Sequence, residues 1–191
     1  MSNLVEIRWH ARGGQGAKTA STLLAESALS AGKYVQGFPE YGPERMGAPI
    51  LAFNRIGDDP ITIHSNVENP DVVIVLDPSL IGAVDVAEGL KDDGVIIINT
   101  AADPSELKAK LGTKAKVATV DASGISVATI GRDIPNTPMI GALIRTHEFM
   151  PFEAFLEQMK EDLSRKFHGR QAIVDGNLNA MRRAYQEVKL A

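Results

Sequence analysis

Leu4-Val5-Glu6-Ile7-Arg8-Trp9, then Arg12-Gly13-Gly14-Gln15-Gly16, then Ala17-Lys18-Thr19-Ala20-Ser21-Thr22-Leu23-Leu24-Ala25-Glu26: this stretch decides the fold. The first segment alternates apolar and polar residues in its second half, as a short strand does. The last has apolar or small residues at 20, 23, 24, 27, 28 and 31, a helical period. A strand, a glycine turn and a helix in that order open an α/β unit. The first N–H groups of such a helix have no carbonyl partner inside it, and its dipole favours negative charge there. The glycine cluster therefore reads as an anion cradle or, equally, as a tight strand-to-helix turn.

Working outward, Ala31-Gly32-Lys33 closes the helix and Tyr34-Val35-Gln36-Gly37-Phe38 reads as a second strand. Pro39 to Pro49 holds three prolines and two glycines, which excludes a helix interior or a central strand. It is a stiff loop that presents Tyr41, Glu44 and Arg45; the alternative is a long connection with solvated charges. Ile50 to Ile56, the turn Gly57-Asp58-Asp59-Pro60 and Ile61 to His64 predict an antiparallel hairpin.

Asp71-Val72-Val73-Ile74-Val75-Leu76 and Gly94-Val95-Ile96-Ile97-Ile98-Asn99 are continuous β-branched runs. Strands of this kind are buried on both faces, as in the middle of a parallel sheet. Ile81 to Leu90 is expected to be the crossover helix between them. Asp77 lies at the carboxyl end of its strand, where open α/β sheets place ligands, and serves equally as a helix cap. Further helices are expected from Pro104 to Leu111, Ala122 to Ile130, Met139 to Ile144, Pro151 to Leu163 and Ile173 to Val188, with a strand at Lys116 to Val120. Thr137-Pro138 suits an N-cap with proline behind it, which places Asn136 and Thr137 beside a helix N-terminus. The stripe Val174, Leu178, Met181, Tyr185 and Val188 fits either the chain's own core or a partner. The expected fold is α/β: a three-layer α/β/α, Rossmann-like arrangement on a mostly parallel, mixed sheet with one antiparallel hairpin, in one domain over residues 1–191.

The totals narrow the function. The net charge of −4 and the lack of a lysine–arginine block argue against nucleic acid as the main partner. No run of eighteen apolar residues exists and no apolar N-terminal stretch resembles a signal peptide, so a cytoplasmic protein away from membranes is expected. The chain has no cysteine, which excludes disulfides, thiolate zinc sites and cysteine-ligated iron–sulfur clusters in this chain. His10, His64, His147 and His168 show no paired ligand spacing. A dinucleotide fingerprint fails: Thr19 stands at the third glycine position, and the second strand ends in Gln36-Gly37 without an acid.

Four stretches together carry a resemblance. They are Ile7 to Gly16, then Gly42-Pro43-Glu44-Arg45-Met46-Gly47-Ala48-Pro49, then Pro70 to Pro78, then Asn136-Thr137-Pro138-Met139-Ile140-Gly141-Ala142. In order and spacing they resemble the gamma subunit of pyruvate:ferredoxin oxidoreductases, within the 2-oxoacid:ferredoxin oxidoreductase family. Two departures stand out: Ala11 where the family often has glycine, and Met46 where it often has a second arginine. The resemblance implies a subunit without a catalytic residue of its own, in a hetero-oligomer with alpha, beta and delta subunits that passes electrons to ferredoxin. Thiamine diphosphate and the iron–sulfur clusters are then on partner subunits. The gamma part covers the active site and helps hold coenzyme A while a 2-oxoacid, here pyruvate, is decarboxylated to an acyl-CoA. It also implies the contacts to coenzyme A: Arg12, Gly13, Gly14, Gln15 and Gly16 first, then Tyr41, Glu44, Arg45, Asn136 and Thr137. A purely structural subunit, or the sister subunit of an indolepyruvate or 2-oxoglutarate enzyme, are the alternatives.

Overall fold

The computed structural model describes residues 4–40 and 47–191. Among these, seven strands form one sheet in the order β2-β3-β1-β4-β5-β6-β7. The strands are β1 (Val5–Arg12), β2 (Tyr34–Pro39), β3 (Pro49–Gly57), β4 (Val72–Val75), β5 (Val95–Asn99), β6 (Lys116–Val120) and β7 (Lys189–Leu190). The helices are α1 (Ala17–Ser30), α2 (Pro104–Leu111), α3 (Ala122–Ile130), α4 (Asn136–Thr146), α5 (Phe152–Lys166) and α6 (Gln171–Glu187). β1, β4, β5 and β6 run parallel, while β3 is antiparallel to both β1 and β2, and β7 to β6. The expected mixed α/β fold is present.

The continuous β-branched runs behave as their composition dictates. All four residues of β4 and all five of β5 are buried, because helices or chain cover both faces. At about 1.5–3 kcal/mol for each buried valine or isoleucine, this central pair contributes strongly to the hydrophobic stabilisation of the sheet. The two faces are unequal. On one, Ile7, Trp9, Ile74, Ile97 and Ala118 pack against α1, α3, α4, α5 and α6. On the other, Val73, Val75, Ile96, Ile98 and Val117 meet Leu80, Val86, Ile81 and Leu90 from the connection after β4, and Leu107 and Leu111 from α2. α4 and α6 pack closely: a Cβ on Gly141 would lie 2.2 Å from the carbonyl oxygen of Met181. The stripe of α6 is turned to the chain's own core, with Val174, Leu178 and Met181 buried and Tyr185 stacked on Phe152 at 3.8 Å between ring centroids.

Three expectations need correction. First, residues 61–64 do not pair as a strand. β3 already has β1 on one edge and β2 on the other, so no edge is left for them. The segment runs unpaired and is tied down by Gln36, whose Nε2 donates to the carbonyls of Ile61 and Ile63 at 3.4 and 2.9 Å. The antiparallel hairpin of the fold is β2–β3 instead.

Second, residues 81–90 do not form a crossover helix; a single 3₁₀ turn over Pro78–Leu80 is followed by turns. Gly82 and Gly89 have φ of 94° and 68°, which a right-handed helix cannot accommodate. The carbonyls freed by the missing helix have another donor. Arg8, 6% exposed, reaches out of β1 and donates from its guanidinium to the carbonyls of Val86 and Glu88.

Third, Asn136 and Thr137 are not caps. Both lie in the first turn of α4, with Pro135 at the cap position and its carbonyl accepting from the N–H of Met139 at 3.1 Å. The Thr137 hydroxyl donates instead to Asn177 Oδ1 of α6, at 2.8 Å.

Candidate functional site at the glycine loop

β1 ends at Arg12 and α1 begins at Ala17, so Gly13 to Gly16 are the whole connection. The turn requires φ of 100° at Gly14 and 84° at Gly16, a region costly for any residue with a Cβ. Part of the loop's polar capacity holds the loop itself. The N–H of Arg12 donates to Gln15 Oε1 at 2.8 Å, that of Gly13 to the Ala48 carbonyl at 3.0 Å, and that of Gln15 to the Arg12 carbonyl at 3.2 Å. The amides of Gly14, Gly16, Ala17, Lys18 and Thr19 have no hydrogen-bond partner among the described residues. Gly14 is exposed and Gly16 half-buried. A partial anion seat therefore stands at the start of α1, made of the amides the loop does not use.

The side chains of Arg12 and Gln15 turn away from that seat. Arg12 Nε donates to Ser79 Oγ at 3.0 Å and lies 3.4 Å from Asp77 Oδ2, while its NH1 donates to the Gly47 carbonyl at 3.0 Å. Gln15 Nε2 donates to Asp77 Oδ2 at 2.8 Å. Asp77 also caps the 3₁₀ turn through the N–H of Ser79. Burial would raise its carboxyl pKa, but the Ser79 and Gln15 hydrogen bonds and the Arg12 charge outweigh this and hold it below the usual carboxylate value. Asp77, offered by the sequence as ligand or cap, is the cap and the anchor of the loop.

The other side of the loop opens on a cavity of about 630 Å³. Gly14, Gly16, Asn136 and Thr137 line it, so four of the sequence-predicted residues share one space although more than a hundred residues separate the two pairs. Asn136 is 6% exposed. Its Oδ1 accepts from the N–H of Thr137 at 2.8 Å, and its Nδ2, which has no partner among the described residues, faces Gly16. The floor is apolar, with Leu23, Ile130, Ile134 and Leu163, and Arg132, Lys166 and Arg170 complete the wall. A concave, largely apolar space with a few convergent polar groups is the usual form of a small-molecule site.

Sequence reading missed Arg132, Lys166 and Arg170. The only available signal was cations flanking predicted helix ends, which is also what a solvated surface shows. Tyr41, Glu44 and Arg45 lie outside the described residues. The end of their loop is nonetheless docked on the glycine turn, through Ala48 and through the Gly47 N–H, which donates to the Gly13 carbonyl at 3.4 Å.

Behind the loop, His10 of β1 accepts at Nε2 from Arg8 Nε at 3.0 Å. Burial, with the Arg8 charge beside it, pushes the His10 pKa down to about 3, so the ring is neutral at physiological pH. It is a structural acceptor. Among the described residues no cluster of histidine and carboxylate side chains is arranged to hold a metal ion, and no helix is long and apolar enough to cross a membrane.

The family model for pyruvate ferredoxin/flavodoxin oxidoreductase matches residues 6–187, nearly all of this architecture. The chain belongs to that family. It is 52% identical over 184 residues to the pyruvate synthase subunit PorC of Thermotoga maritima, covering 96% of this chain and 94% of that one. It is 44% identical over 188 residues to the common gamma subunit of the pyruvate/ketoisovalerate oxidoreductases of Pyrococcus furiosus, covering 98% of each. The crystal structure of the pyruvate oxidoreductase subunit PORC of T. maritima superposes with a TM-score of 0.85 at 48% identity, covering 98% of each chain. Within the pyruvate ferredoxin/flavodoxin oxidoreductase family the chain thus corresponds to the gamma subunit, as its sequence implied.

Proposed function

We propose that this chain is the gamma subunit of a 2-oxoacid:ferredoxin oxidoreductase acting on pyruvate, and that it covers the thiamine diphosphate site of its partner subunits and helps seat coenzyme A. Alpha, beta and delta subunits are its partners, and ferredoxin takes the electrons from the assembled complex. Thiamine diphosphate and iron–sulfur clusters supply the carbanion and electron-transfer chemistry when bound on those partners; a chain without cysteine offers no thiolate to a cluster. What this chain contributes is binding and orientation in a complex whose activity is oxidative decarboxylation to an acyl-CoA.

One observation carries the reading. Gly14, Gly16 and Thr19, whose amides have no partner among the described residues, and Asn136, whose Nδ2 has none either, line the same cavity. Backbone N–H groups at a helix N-terminus bind phosphate oxygens without needing a side chain. The apolar floor suits the uncharged arm of coenzyme A, and the glycines allow the ligand to approach the backbone. Gly13, Gln15 and Arg12 shape the seat, whereas Gly14, Gly16, Asn136 and Thr137 face it. Tyr41, Glu44 and Arg45 are proposed for the rim, since the end of their loop docks on the glycine turn.

Titration calorimetry of the assembled oxidoreductase with coenzyme A tests this. Asn136→Ala is expected to weaken binding about tenfold, the loss of one hydrogen bond to a charged group, and Arg45→Ala to weaken it as well. Unchanged affinity in both variants leaves a purely structural subunit. That second reading has its own support in the Arg12–Asp77–Gln15 cluster, whose mutual contacts hold the loop. The 2-oxoacid is tested by substrate profiling of the complex against pyruvate, 2-oxoglutarate and indolepyruvate.

A further inference from the structure

The wall of the cavity away from the glycine loop has a distinct charge pattern. Arg132 follows α3, Lys166 ends α5 and Arg170 stands at the cap position of α6, and all three line the same space. Among the described residues no aspartate or glutamate lines it, in a chain whose net charge is −4. None of the three has an ion pair among the described residues, although ion pairs occur elsewhere on the surface. Lys166 also borders a neighbouring groove with Glu26 and Asp162; the Asp162 carboxylate is taken up by Ser27, Gln158 and Arg165, and Glu26 is exposed and makes no ion pair with Lys166. The α5–α6 turn holds Lys166 and Arg170 on one wall through His168, which adopts φ of 51°.

Three exposed cations with no carboxylate beside them among the described lining residues, opposite a set of neutral N–H donors, describe two anion seats of different strength. Neutral amides at a helix start suit a diphosphate diester, whose oxygens each carry a fraction of a charge. Guanidinium and ammonium groups add charge-assisted hydrogen bonds that favour a phosphomonoester, which carries close to two charges at neutral pH. We propose that Arg132, Lys166 and Arg170 form a second anion subsite, which binds a phosphomonoester and lets the complex prefer a nucleotide carrying that phosphate over one lacking it. The proposal deepens the coenzyme A reading and rests on it. Coenzyme A has such a phosphate on its ribose, and dephospho-coenzyme A does not.

The test is calorimetry of the assembled complex with each of these two ligands, for the wild type, Lys166→Gln/Arg170→Gln and Asn136→Ala. Both rim side chains are exposed, so the double variant is expected to assemble normally. The wild type is expected to bind coenzyme A about tenfold more tightly than the dephospho form, and the double variant to bring the two Kd values within about twofold. Raising the salt concentration should shrink the wild-type preference, because the cations are exposed. If Asn136→Ala weakens both ligands while the double variant keeps the wild-type ratio, the subsite is refuted and the coenzyme A reading stands. If neither variant changes either Kd, the cavity does not hold coenzyme A and both proposals fall.

Discussion

A Cβ built on Gly16 would lie 2.7 Å from Nδ2 of Asn136. The start of α1 and the start of α4 are thus in contact, with the glycine of one accommodating the amide of the other. Gly16→Ala combines a strained φ with this overlap and is expected to destabilise the chain by about 3 kcal/mol. Gly14→Ala, with an equally unfavourable φ but nothing within 4 Å of its Cβ, should cost about 1 kcal/mol. Urea unfolding of the purified chain measures both; a smaller loss at Gly16 than at Gly14 would mean that Asn136 moves aside without cost.

Asp77 joins three groups: the Ser79 N–H, Gln15 Nε2 and the Arg12 guanidinium. Asp77→Ala should cost about 2 kcal/mol, mostly from the lost cap and the unpaired Gln15 amide, since a half-exposed ion pair adds under about 1 kcal/mol. Because the folded-state pKa of Asp77 is lowered, its contribution is present above the ordinary carboxylate pKa and is lost as pH falls through the folded value. Thermal unfolding at neutral pH, with and without the substitution, is the measurement.

His10 has the same sign of pH dependence for a different reason. Its folded pKa of about 3 lies below the ordinary value of 6.5, so the unfolded chain takes up a proton that the folded one refuses. Stability is complete above pH 6.5 and falls as pH drops towards 3. Between pH 7.5 and pH 5 this single group should account for about 2 kcal/mol. His10→Gln, which keeps an acceptor for Arg8 Nε, should remove that part of the slope. Unfolding curves at the two pH values, for both proteins, decide it; equal slopes would show that His10 does not titrate as described.

Asn54 is fully buried and satisfies two groups at once. Its Oδ1 accepts from Trp9 Nε1 at 2.8 Å, and its Nδ2 donates to the Ser21 carbonyl at 2.9 Å. Asn54→Ala leaves the Trp9 Nε1–H without a bond in the core, removes the second donor to a carbonyl inside α1, and opens a void, which together should destabilise by about 3 kcal/mol. Asn54→Asp should be worse, because it adds a charge and removes the donor. Denaturant midpoints rank the three proteins.

Much of the fold was legible in short range. Alternation in β1, β-branched runs in β4 and β5, and Asp103-Pro104 and Asp121 before α2 and α3 each declare an element within a few residues. Errors arose where a segment's state depends on distant neighbours. Ile61 to His64 has the composition of a strand but meets a sheet with no free edge. Residues 81–90 can do without a helix since Arg8, more than seventy residues earlier, supplies donors to the carbonyls of Val86 and Glu88.

The same division holds for the site. By itself the sequence determined the glycine turn and set Asn136 and Thr137 at a helix start, and its four stretches pointed to the family. Tertiary structure alone decided which groups face the cavity: it turned Arg12 and Gln15 towards Asp77, and it assembled Arg132, Lys166 and Arg170 from three separate helix ends. The reason is physical. Backbone conformation follows mainly from neighbours along the chain, whereas the direction of a side chain and the charge of a cavity are set by whatever packing brings alongside.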